Sequence, residues 1–234
     1  MSSIDLIFNE SLIKSKLYHF NSPSRLKLKD HYFTNSAILF IILPNENKPY
    51  ELIIIQRTNI GLNHPGEMAF PGGKFNPDKD KDLLDTVLRE TEEEIGISRK
   101  NIKILGCLND LPTTTRYIIT PFIAKVVPDL ELIPEEREVQ DIIKVPIDFF
   151  LKKKDFKEEI YRMEDIQYPV FYYNYYSPEK KKYYLIWGAT AKIIVRFINK
   201  VYNHEISELS RKEIDHDIFQ SIKKYIQQKD KKNI

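Results

Sequence analysis

Phe70-Pro71-Gly72-Gly73, a charged loop, and then Arg89-Glu90-Thr91-Glu92-Glu93-Glu94-Ile95-Gly96-Ile97 form the stretch on which the reading of this 234-residue chain turns. Residues 82–95 carry a helical pattern, and Gly96 stands where a left-handed residue ends a helix. Glu90, Glu93 and Glu94 are then spaced i, i+3 and i+4, which brings three carboxylates close together. Leu84, Leu88, Thr91 and Ile95 fall on one narrow stripe expected to face the core, with the glutamates opposite. Like charges at this spacing cost a helix roughly 0.2–0.5 kcal/mol per pair. Arg89 can pair with Glu93 one turn on, but one cation does not neutralise three carboxylates. A hard divalent cation, Mg²⁺ or Mn²⁺, does, because such ions prefer carboxylate oxygens. An acidic solvated face is the alternative for the glutamates taken alone. The Gly72-Gly73 turn favours the metal, since glycine reaches positive φ and lets a phosphate approach the main chain. The combination reads as a metal site for diphosphate chemistry.

A calcium loop is excluded. Asp78, Asp80 and Asp82 alternate like the start of an EF-hand, but its sixth and twelfth positions would be Leu83 and Arg89 instead of glycine and glutamate. These aspartates are expected in a solvated loop.

Outward from this centre, residues 36–43 and 51–57 read as strands of a hairpin joined by Pro44-Asn45-Glu46-Asn47. Residues 58–66 read as a loop, 102–108, 118–127 and 139–145 as apolar strand-like runs, and 168–176 with 182–187 as a second hairpin. Helices are expected at 189–201, more weakly at 206–228, and over 4–17 near the N-terminus. This order predicts an α/β (α+β) domain with a helical tail.

Composition agrees with a globular chain: 42% hydrophobic, 30% charged and 12% aromatic. No apolar run reaches the roughly 18 residues of a membrane span. The first residues, Met1-Ser2-Ser3-Ile4-Asp5, lack a signal-peptide pattern, and a soluble cytoplasmic protein is expected. Cys107 is the single cysteine, which rules out an intrachain disulfide and a multi-cysteine zinc site. The 36 basic residues are nearly matched by 34 acidic ones. The short lysine runs read as solvated surface or as an attraction for phosphate-rich ligands. Nothing resembles a nucleic-acid module.

Residues 89–97 resemble the signature of the Nudix hydrolases: glycine, five residues, glutamate, seven residues, then Arg-Glu-aliphatic-any-Glu-Glu-any-Gly-aliphatic. Thr91 replaces an aliphatic residue, and the expected glutamate is missing, because Lys81 stands eight residues before Arg89 and Lys79 six after Gly73. The lengthened loop is like that of the coenzyme A diphosphatase-like branch. So are Ile55-Gln56-Arg57-Thr58, His64-Pro65-Gly66-Glu67, Leu108-Asn109-Asp110-Leu111-Pro112-Thr113, Glu138-Val139 and Ile186-Trp187-Gly188-Ala189-Thr190. The resemblance spans residues 36–200. Leu62 departs from it, standing where the branch carries an arginine suited to bidentate phosphate contact.

The resemblance implies a Nudix-like α/β/α sandwich with a mixed sheet over residues 34–203. Residues 1–33 are an N-terminal extension packed on it, and 204–234 a helical tail that packs on the domain or helps form a homodimer. It implies a pyrophosphohydrolase whose small-molecule substrate is a nucleoside diphosphate derivative. The resemblance to the branch implies that this substrate is coenzyme A or a CoA derivative, split into phosphopantetheine-type and adenosine 3′,5′-bisphosphate products. ADP-ribose, NADH or a nucleoside triphosphate is the alternative, and a nucleotide-sensing regulator a third. Glu90 and Glu94 match the family's metal ligands, with Glu93 completing the cluster or positioning the attacking water. Glu138 is a candidate base or further ligand, or else a surface residue. Arg89 orients the glutamates, Gly72 and Gly73 shape the metal cavity, and Arg57 contacts phosphate or ends its strand in a salt bridge. His64 reads as a loop residue, Trp187 and Thr190 as packing or capping the last helix, and Tyr172, Tyr173, Tyr175 and Tyr176 as sheet-face packing.

Overall fold

In the computed structural model, which describes residues 6–59, 65–163, 166–211 and 213–232, the chain follows the mixed order that its periodicities suggest. The elements are α1 (Glu10–Lys16), β1 (Thr34–Leu43), β2 (Glu51–Arg57), β3 (Met68–Ala69), β4 (Gly72–Lys74) and α2 (Leu83–Ile95). Then come β5 (Ile102–Cys107), β6 (Leu111–Pro112), β7 (Tyr117–Val126), β8 (Val139–Pro146), β9 (Phe156–Met163), β10 (Ile166–Ser177), β11 (Lys182–Trp187), α3 (Gly188–Tyr202) and α4 (His216–Lys232). Among the described residues, eight strands form one mixed sheet with the path β3-β2-β1-β7-β5, to which β4, β6 and β8 add on β1, β7 and β2. β1 pairs with β7 in parallel, Thr34 opposite Tyr117 and Ile42 opposite Lys125, while the other pairings are antiparallel.

The alternation of β1 sorts the core into two layers. Ala37, Leu39, Ile41 and Leu43 face α2, with Val87, Ile95, Phe122 and Ala124. Phe40 and Ile42 face the larger cluster built with α3, β10 and β11, where the Phe40 ring lies 4.4 Å from that of Phe197. α3 is buried along most of its circumference, because the main sheet covers one side and a second, three-stranded sheet β11-β10-β9 covers another. The fold is therefore mixed α/β, as expected.

Several sequence expectations need correction. β9 lies outside the strands that the sequence pattern predicts: its outward residues are charged or exposed, Ile160 and Tyr161 included, so it carries no strand pattern and is held by backbone pairing to β10. The first helix is shorter than residues 4–17, because Asn9 caps it by accepting the Leu12 N–H at 2.9 Å. The helix expected over 206–228 is instead a 3₁₀ turn at Glu208–Arg211 followed by α4. α2 is also rotated from the expected stripe: Thr86, Val87, Thr91, Glu94 and Ile95 are buried, while Leu84 and Leu88 are only half-buried. Glu94 thus lies on the packed side of the helix.

α4 lies against the domain. Ile218, Phe219, Ile222 and Ile226 belong to the main apolar cluster, and the Phe219 ring sits 5.1 Å from that of Phe33. Burying each such side chain contributes about 1.5–3 kcal/mol. Lys223 Nζ pairs with Asp30 at 2.6 Å, and Asp230 pairs with Arg116 and accepts the Tyr32 hydroxyl. The N-terminal segment is tied down through Asp110, which is buried and accepts from Arg25 at 2.5 Å, the Leu28 N–H at 2.8 Å and Thr120 at 2.7 Å.

Candidate active site

The site forms where β4 runs beside β1 and the last two turns of α2 lie over both. Asp82 starts the helix by accepting the Asp85 N–H at 2.9 Å, and Gly96 ends it at φ 72°. Both glycines of the turn are required, for different reasons. A Cβ on Gly72, whose φ is 148°, would sit 2.7 Å from the Ile38 Cα and overlap the Ala37 carbonyl. A Cβ on Gly73 would sit 2.6 Å from Glu90 Oε1. The turn is a cradle shaped by the helix carboxylates.

Glu94 is 2% exposed, accepts the Gly72 N–H at 2.9 Å, and has Arg57 Nη1 3.7 Å from its other oxygen. Burial pushes its carboxyl up to about 8, against the pull of the Gly72 N–H and the Arg57 charge, with Glu90 and Glu138 adding repulsion. Burial also raises Glu90, opposed by its contact with Arg89 at 2.8 Å. Glu138, at the start of β8, is exposed, yet its charge acts on both. The structure brings Glu90, Glu94, Glu138, Arg57, Gly72 and Gly73 to one cavity of about 800 Å³. Glu93 and Arg89 are not in its lining: Glu93 is exposed and turned to Arg89 at 2.9 Å. Leu62 and His64 lie outside the described residues. Thr190 caps nothing; its hydroxyl donates to the Met68 carbonyl at 2.9 Å, tying α3 to β3.

Asp80 corrects the expectation of a solvated loop. It is 5% exposed and accepts from Arg89 Nε at 2.7 Å and Nη2 at 3.0 Å, from Thr86 Oγ1 at 2.9 Å, and from the Asn76 N–H at 3.0 Å. The Arg89 guanidinium holds its carboxyl far below the usual carboxylate range. Arg89 reaches from there to Glu90 and Glu93, so the glutamates are positioned by a guanidinium that Asp80 fixes. The carboxylate missing at Lys81 is supplied one residue earlier. Only an off-by-one reading of the motif spacing would have found it.

The donor set fits a hard divalent cation. Its oxygens are carboxylates, two of them with raised proton affinity, set against a cradle that a Cβ would fill. In this conformation no three His, Cys, Asp or Glu side chains among the described residues converge on one ion-sized point. Arg89 draws Glu90 and Glu93 aside, while Gly72 and Arg57 hold Glu94. Other parts of the lining differ in kind: Tyr161, Tyr168, Val170 and Trp187 come from the second sheet, and Tyr225 and Lys229 from α4. Trp187 stacks on Tyr172 at 5.8 Å and 4°, while Tyr173 and Tyr175 pack in the core.

Known proteins resemble the chain along this frame. The NUDIX domain family matches residues 34–164. Nudix hydrolase NudL of Photorhabdus laumondii is 33% identical over 168 residues, which cover 71% of this chain and 86% of the relative. NudL of Yersinia pestis is 29% identical over 181 residues, covering 76% and 87%. The solved MutT/nudix family protein of Enterococcus faecalis aligns with a TM-score of 0.44 at 18% identity, over 87% of this chain and 77% of its own. With the family's domain over more than half its length and a relative a third identical along most of both chains, this protein belongs to the Nudix family and is a pyrophosphohydrolase of nucleoside diphosphate derivatives.

Proposed function

We propose that the substrate is coenzyme A or a CoA derivative, cleaved at its diphosphate with Mg²⁺ or Mn²⁺ into a phosphopantetheine-type product and adenosine 3′,5′-bisphosphate. The observation that carries this reading is the mixed lining of the cavity. Carboxylates, Arg57 and the glycine turn line it together with the aromatic and apolar side chains of Tyr161, Tyr168, Val170 and Trp187. A diphosphate bearing a long, weakly polar arm matches both kinds of group, and the sequence blocks of the coenzyme A-like branch agree with it. Leu62, in place of an arginine, favours a second reading in which ADP-ribose, NADH or another nucleoside diphosphate derivative is the better substrate.

Glu90, Glu94 and Glu93 are the residues that would hold the metal, with Glu93 swinging from Arg89 to do so. A bound ion supplies charge neutralisation on the diphosphate and acidifies a water. Glu138 takes the proton of the attacking water at its carboxylate, and Arg57 binds a diphosphate oxygen through its fixed guanidinium fork. Arg89 touches no substrate; it positions Glu90 and Glu93. These charges act on a diphosphate whose negative charge grows on the leaving phosphate, where electrostatic stabilisation matters most.

A panel of coenzyme A, NADH, ADP-ribose and nucleoside triphosphates, run with each metal and with product identification, tests the substrate. Coenzyme A as the preferred compound is the expected result, and a preference for any other overturns it. Replacing Glu93 or Glu94 with Gln is expected to abolish most turnover; near-normal rates in both variants would sink the mechanism.

A further inference from the structure

We propose that α4 is part of the substrate site, and that Lys229 with Lys74 forms a second anion subsite for a phosphomonoester on the nucleoside, separate from the scissile diphosphate. The proposal rests on the reading of the cavity as a site for a nucleoside diphosphate derivative. Both lysines line that cavity, and neither has a carboxylate within ion-pair distance among the described residues. Glu90, Glu94 and Glu138 line the same cavity, so its lining carries both acidic and basic groups.

Lys229 is not a fraying lysine at a chain end. The next residue, Asp230, is bonded to the Tyr32 hydroxyl and to Arg116, and Lys223 two turns earlier is paired with Asp30 at 2.6 Å. Arg116 itself sits in the turn before β7 at φ 65°, and that turn brings Thr113 and Thr115 to the same rim. α4 and the turn are thus clamped to each other, and Lys229 projects from the clamp. Lys74 comes straight after Gly73 and lies over the Tyr117 ring at 5.5 Å. Two ammonium groups with rotatable donors beside threonine hydroxyls recognise a dianionic phosphate as point charges, where an arginine would have bound as a fork.

The test compares adenosine 3′,5′-bisphosphate with AMP, by calorimetric titration of the whole protein. The wild type is expected to bind the bisphosphate at least about tenfold more tightly, a margin that shrinks as salt rises. Lys229→Gln is expected to remove most of that preference with the AMP affinity and melting temperature unchanged, and Lys229→Arg to keep most of it. A wild type without the preference, including one that binds neither compound, overturns the proposal. So does a preference that survives in Lys229→Gln or is lost equally for both nucleotides. Binding of these products is read independently of hydrolysis. A protein that prefers ADP-ribose as substrate yet keeps the bisphosphate preference therefore refutes the coenzyme A reading and leaves the subsite standing.

Discussion

Replacing Asp80 with Asn should destabilise the protein and misplace its glutamates, although residue 80 lies outside the cavity lining. The change keeps the shape and removes the charge. One amide oxygen remains to accept, while the new NH₂ faces one of the two Arg89 donors, Nε or Nη2, which the two carboxylate oxygens met at 2.7 and 3.0 Å. Thr86 is fully buried, and where the NH₂ replaces the oxygen its hydroxyl meets at 2.9 Å, only the Asp82 carbonyl at 3.1 Å is left to accept from it. Removing one partner of a buried ion pair costs about 3–5 kcal/mol. Arg89 keeps Glu90 and Glu93 as partners, which places the expected cost at the lower end, about 3 kcal/mol. At roughly 2–4 °C per kcal/mol for a chain of this size, the melting temperature should fall by roughly 6–12 °C. The folded-state pKa of Asp80 is depressed, so its contribution is fully present above the unfolded carboxylate value of about 3.9 and is lost as pH falls through the folded value. The gap between variant and wild type should therefore be flat from neutral pH down to about 5 and close only in strong acid. Turnover should drop by about 10–100-fold with KM little changed, the cost of losing a residue that orients a ligand set. Thermal melts across pH together with steady-state kinetics check both. A variant melting within about 2 °C of wild type at pH 7 would refute the reasoning, because a solvated aspartate behaves that way.

Four further outcomes follow from the structure. Gly73→Ala should lower turnover by about 100-fold, because its Cβ displaces the Glu90 carboxyl, while calorimetry finds the fold little changed. Gly72→Ala should instead fail on stability, losing more than about 3 kcal/mol in denaturant titration, since its Cβ meets the β1 backbone and its φ is positive. Cys107 is fully buried and burial pushes its thiol up to about 11, so a thiol reagent at neutral pH should label it only at the rate of unfolding. Phe219→Ala should cost about 3–5 kcal/mol by leaving a cavity beside Phe33, measured by thermal melts.

The sequence by itself determined the local features: where α2 starts and stops, the strand runs around it, and the glycine turn beside a helix of glutamates. These depend on caps, periods of two or 3.6, and residue types within one or two turns of each other, all of which a linear pattern records. It also carried the family signature, and so the chemistry, because that signature is local too. The tertiary structure decided how α2 is rotated, and hence that Glu94 is buried beside Gly72 while Glu93 faces solvent on Arg89. Only the fold turned Asp80 from one charge in a polar loop into the anchor of Arg89, since burial of a carboxylate depends on what packs over it. The parallel pairing of β1 with β7, and the meeting of Tyr225 and Lys229 of α4 with a cavity whose Gly72 and Gly73 stand more than 150 residues earlier, join segments far apart in the chain. Such contacts are set by how faces pack in three dimensions, and no window of sequence contains them.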